Sequence, residues 1–115
     1  MRRGFLAMAV GCSPIAGDWE AEFVASESGT SIATGVLEVD LDGETLLDVD
    51  ASGDGPTGTL RATGSADSSD STLSLVGVWD GQTVEVRGPC VRDSRDLLCE
   101  LEVGDDAWQL EFRRD

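Results

Sequence analysis

The sequence predicts an all-β fold: an eight-stranded antiparallel meander forming a small up-and-down barrel or a curled sheet. Three observations predict it. Beyond Cys12, apolar and polar residues alternate with period two; no stretch sustains a helical period; and Gly- and Asp-containing turn signals recur between the runs. At 115 residues the chain has the length of a single domain, and with 5% aromatic residues its bulky packing falls to three Trp and three Phe.

In the first run Trp19, Ala21, Phe23 and Ala25 share one face, with Glu20 and Glu22 on the other. The second sets Gly35, Leu37 and Val39 against Glu38 and Asp40, and the third aligns Thr45, Leu47, Val49 and Ala51. A two-residue loop at Asp42-Gly43 would split these apolar sets across two faces. A three-residue loop, Leu41 to Gly43, pairs Val39 with Thr45 and Leu37 with Leu47, so the odd loop is expected. A fourth, weaker strand falls around Thr59 to Ala62. The polar segment GSADSSDST (64–72) reads as a solvated, mobile loop.

Asp80-Gly81 as a two-residue turn aligns Leu75 with Val86 and Trp79 with Gln82. A turn at Asp105-Asp106 pairs Val103 with Trp108, Leu101 with Leu110 and Cys99 with Phe112. Cys90 opposite Cys99 sets Gly88 against Leu101 and Val86 against Val103, on one face. The register that forms a disulfide is therefore the register that gathers the apolar side chains.

Charge excludes some partners. Twenty-three acidic residues face eight Arg, a net charge of −15. That charge repels nucleic-acid backbones and anionic membrane surfaces, while favouring cations and basic proteins. There is no His, Lys, Tyr or Asn. Imidazole and lysine chemistry are thus absent, and with them Ser–His–Asp and Cys–His catalysis. Carboxylates alone do not single out a catalytic pair, so a non-enzyme without a cofactor is expected.

The opening MRRGFLAMAVGCSP carries two Arg and then a short apolar run, which reads either as a signal peptide or as a buried strand, FLAMAV. Ala9-Val10-Gly11-Cys12 resembles the lipobox of bacterial lipoproteins, with Ala9 where Leu is usual. The resemblance implies a signal peptide over 1–11, a lipidated tether over 12–16 with acyl chains on Cys12, a domain over 17–115 and a lipid-anchored place in the cell envelope. Cys12 is also the odd cysteine left once Cys90 and Cys99 pair.

Gly17-Asp18-Trp19 at the first strand and Arg113-Arg114 at the last resemble the calycin pattern. Ala16-Gly17-Asp18-Trp19 is also similar to the opening of small bacterial metalloprotease-inhibitor barrels. The resemblance implies that Trp19 plugs one barrel end, with Arg113, or its neighbour Arg114, over its indole. Barrels of this kind host many functions, so the resemblance assigns none by itself.

Other candidate sites come from the residues themselves. Leu75, Trp79, Trp108 and Leu110 could line a pocket for a small apolar ligand, or simply fill the core. Arg92 and Arg95, in the segment closed by Cys90 and Cys99, could meet a protease or another partner. Asp50, Ser52 and Asp54 match the front half of a calcium loop, although Arg61 stands where its closing Glu belongs. Glu38, Asp40, Glu44, Asp48 and Asp50 form an outward acidic face suited to solvent, a cation or a basic partner.

Overall fold

The computed structural model describes residues 15–67 and 69–114, and eight antiparallel strands form one closed barrel in chain order. They are β1 (Gly17–Ser26), β2 (Gly29–Val39), β3 (Glu44–Gly53), β4 (Gly58–Ala66), β5 (Thr72–Trp79), β6 (Gln82–Asp93), β7 (Asp96–Val103) and β8 (Asp106–Arg113). Each strand pairs with its sequence neighbour, and β1 pairs with β8 to close the ring. The segment expected to be a signal peptide, Cys12 and most of the expected tether lie outside the described residues.

Alternation translates directly into an inside and an outside. Thr45, Leu47, Val49 and Ala51 of β3 are all buried, and their neighbours Glu44, Leu46 and Asp50 are exposed. The β2–β3 register pairs Val39 with Thr45 and Leu37 with Leu47, through the expected three-residue loop. Leu75 faces Val86 and Trp79 faces Gln82, also as expected. Eight strands leave an interior just wide enough for side chains. Trp19, Leu37, Leu47, Leu60, Leu73, Leu97 and Phe112 fill it, each almost wholly buried.

Cys90 and Cys99 are directly opposed on β6 and β7 and form a disulfide, their Cα atoms 4.0 Å apart. The same register pairs Val86 with Val103. Both cysteines point inward, so the bridge belongs to the core rather than to a surface staple.

Closure needs backbone contacts that side chains would block. At Gly35, with φ +137°, a Cβ would lie 2.0 Å from the Asp48 carbonyl oxygen on β3. Glycine there lets β2 bend tightly against its neighbour, as barrel corners require.

Three sequence expectations are corrected. In β1 the pairing shifts between Ala21 and Phe23, a β-bulge that turns Phe23 outward, where it is 45% exposed, and sends Val24 into the core. The last hairpin turns at Gly104-Asp105 rather than Asp105-Asp106, pairing Leu101 with Trp108 and Cys99 with Leu110. Gly104 takes φ +62°, which suits a tight hairpin turn, and the two-residue shift leaves every inward face unchanged. Finally, Gly64, Ser65 and Ala66 belong to β4 instead of a loop, because they pair with Leu75, Ser74 and Leu73 of β5.

Candidate functional site

The two barrel ends treat their tryptophans differently. At the end where β1 begins, Trp19 is fully buried and its Nε1–H donates to the Ile15 carbonyl at 2.8 Å. The guanidinium carbons of Arg114 and Arg92 lie 5.2 and 5.6 Å from its ring centre. Arg114 also donates to the Ala16 carbonyl at 3.4 Å. A Cβ on Gly17 would sit 2.3 Å from the Arg114 Nη2, so the glycine of Gly17-Asp18-Trp19 makes room for that guanidinium.

Of the two arginines considered for Trp19, Arg114 is the one over the ring. Phe112 points inward, so alternation sends Arg113 outside. There it pairs with Asp96 at 3.4 Å and Glu22 at 3.5 Å.

The Arg92–Arg95 segment is not an open loop. β6 continues to Asp93 and β7 starts at Asp96, leaving a two-residue turn at Ser94-Arg95. Arg92 is drawn towards Trp19 and donates to the Ser94 carbonyl at 3.3 Å, while the Arg95 carbonyl accepts from the Arg114 amide at 2.9 Å. The Arg92 guanidinium is thus engaged within the chain, whereas the Arg95 side chain is exposed at the turn.

The calcium reading is corrected too. Asp50 and Ser52 occupy alternate positions of a regular strand, roughly 7 Å apart, and do not curl around a common centre. Among the described residues no three acidic or Cys side chains gather to hold a metal. Asp50 instead accepts from the Thr59 hydroxyl, and Asp48 pairs with Arg61 at 3.2 Å.

The opposite end carries the β5–β6 and β7–β8 turns. Leu75 and Leu110, two of the four pocket candidates, are buried in the barrel interior. The other two meet each other: the Trp79 and Trp108 rings stand edge to face at 87°, centroids 4.8 Å apart. Trp79 is half-buried, and its Nε1–H donates to the Thr57 carbonyl at 3.1 Å. Trp108 is 2% exposed, and its Nε1 is the one buried side-chain polar atom among the described residues with no hydrogen-bond partner.

Beside Trp79 lies an open hollow of about 770 Å³. It arises because β6 starts at Gln82 but pairs with β7 only from Val86, so its first residues overhang the β7–β8 turn. A hydrogen bond from the Gly104 amide to the Glu85 carbonyl, 3.0 Å, ties the overhang to that turn. Trp79 and Val84, both partly buried, supply apolar surface, and the buried Val103 lies in the lining; Glu85, Glu102, Asp105 and Asp106 supply carboxylates; Arg87 supplies a cation. Apart from Trp79, these residues were not singled out by the sequence. Their one legible signal was position, since they flank two predicted turns.

No family model, no curated protein and no solved structure matches this chain. The closed eight-stranded antiparallel barrel is the coarse architecture that the calycin resemblance implies.

Proposed function

We propose that the barrel binds a small, largely apolar ligand at the end where Trp79 and Trp108 meet, without catalysing its conversion. The observation that carries this reading is the half-buried Trp79 ring beside a hollow of about 770 Å³, with Val84 and Val103 on the same walls. Small-molecule sites typically span about 300–1,000 Å³ and occur at the mouths of β-barrels. Because Leu75, Leu101 and Leu110 already fill the lumen, the ligand sits at the mouth and not deep inside.

The test is a fluorescence titration with N-phenyl-naphthylamine, a neutral apolar probe. Binding at this site gives probe enhancement, energy transfer from tryptophan, and loss of both in Trp79→Ala. A folded protein that leaves the probe unperturbed overturns the reading.

Placement at the cell envelope through a lipid on Cys12 is a second proposal, supported by Ala9-Val10-Gly11-Cys12. Intact mass of protein extracted from membranes tests it. A chain that begins at Cys12 and carries acyl mass supports it; an unmodified chain beginning at Met1 rules it out.

A further inference from the structure

We infer that the ligand taken at this mouth is an organic cation: an amine or quaternary ammonium group carried on an apolar body. The inference rests on the ligand-binding reading above and adds the sign of the ligand's charge.

Comparison of the two ends carries it. At the closed end, the chain's own Arg92 and Arg114 guanidinium groups lie against the Trp19 ring. Among the described residues, no cation lies over Trp79. Its ring is nonetheless prepared for one. The Nε1–H bond to the Thr57 carbonyl and the edge-to-face contact with Trp108 hold it in place, half-exposed to the hollow. A cation on an indole face contributes about 0.5–2 kcal/mol, more as water is excluded.

The surrounding charge has the matching sign. Glu85, Glu102, Asp105 and Asp106 line the hollow against the single guanidinium of Arg87. The ion pairs among the described residues involve Arg61 and Arg113, and neither engages these four carboxylates. Arg87 stands opposite Glu102 across β6 and β7, but the two do not form an ion pair. An anionic ligand would meet several unpaired like charges there. A neutral one would gain from Trp79, Val84 and Val103 but leave the carboxylates unused. An apolar cation engages both the walls and the rim.

The test uses three probes that share one decyl chain: decyltrimethylammonium, decanol and decanoate. Each is titrated below its aggregation threshold against the full chain, with calorimetry for affinity and the Trp79 indole N–H resonance for location. The expected result is a shift of the Trp79 resonance, with the cation binding about tenfold tighter than the alcohol, equivalent to about 1.4 kcal/mol. Decanoate binds weakest, and salt narrows the gap. The exposed-rim variant Glu85→Gln/Glu102→Gln lowers cation affinity and leaves decanol unchanged, and Trp79→Phe retains part of the cation preference.

Decanol binding as tightly as the cation overturns the inference while the ligand-binding reading survives. Cation binding that leaves Trp79 unshifted, or that ignores the rim variant, places the cation elsewhere on an acidic surface and also overturns it. If none of the three probes reaches Trp79, both readings fail.

Discussion

The indole rings of Trp79 and Trp108 meet edge to face with centroids 4.8 Å apart, yet only Trp79 has a hydrogen-bond partner for its N–H. Such aromatic pairs add about 0.5–1.5 kcal/mol beyond their area burial. Trp108→Phe keeps a ring in the contact and removes the unpaired donor, so the urea midpoint is expected to hold or rise. Trp108→Ala empties the space and is expected to cost about 3–5 kcal/mol. A large loss in Trp108→Phe would mean that the donor has a partner in solution.

Arg114 and Arg113 are chain neighbours with different duties. Arg114→Ala removes a guanidinium from the buried Trp19 ring and is expected to cost about 0.5–2 kcal/mol. Arg113→Ala removes only pairs formed by a half-exposed side chain and is expected to cost no more than about 1 kcal/mol, less at high salt. Thermal midpoints of the two variants in low and high salt decide it. Equal losses would contradict the assignment.

Gly35→Ala places a methyl against the Asp48 carbonyl at a φ of +137° and is expected to destabilise by more than about 1 kcal/mol. Gly81→Asn is the control. That position has φ +88°, but nothing lies within 4 Å of its Cβ site, and Asn tolerates left-handed backbone. Chemical denaturation of both separates steric closure of the barrel from the requirements of a turn.

The Cys90–Cys99 bridge closes a short segment, which by chain entropy stabilises the fold by roughly 2–3 kcal/mol. Cys90→Ala/Cys99→Ala is expected to lower stability by about that amount, plus the loss of packing of two buried sulfurs. Circular dichroism should retain its β signature, because the backbone ladders of β6 and β7 do not depend on the bridge. Complete unfolding of the variant would show that those ladders do not hold alone.

Asp67 gives the β4–β5 turn a pH response. Its carboxylate accepts from the Ser69 hydroxyl at 2.6 Å and the Ser69 amide at 2.8 Å, and these bonds hold its pKa below the ordinary aspartate value. A depressed carboxylate stabilises the folded turn above the unfolded-state pKa, and that contribution is lost as pH falls through the folded-state value. Ser69→Ala removes the larger of the two causes, so the Asp67 titration followed by carboxyl carbon NMR should move up. A titration that does not move would remove the hydroxyl as the cause.

Period-two alternation was enough to place the inward faces of β3, β5 and β7, because side-chain direction in a strand depends only on parity. That is why the Cys90–Cys99 pairing was legible, and why the two-residue shift in the register of the last hairpin left Leu101, Trp108 and Leu110 inside. The bulge in β1 was not legible. One extra residue inverts parity without marking itself in the pattern, so Phe23 reads as core and lies outside.

By itself, then, the sequence determined the strand count, most registers, the disulfide and the absence of imidazole and lysine chemistry. The tertiary structure decided which arginine reaches Trp19, because that depends on where the last strand ends relative to the plug. It also decided where the hollow beside Trp79 lies. Trp79, Val84 and Val103 share a hollow with Glu85, Glu102, Asp105 and Asp106 only because β6 overhangs its neighbour. Alternation is a local property of the chain, whereas an overhang is a relation between strands that meet only once the barrel closes.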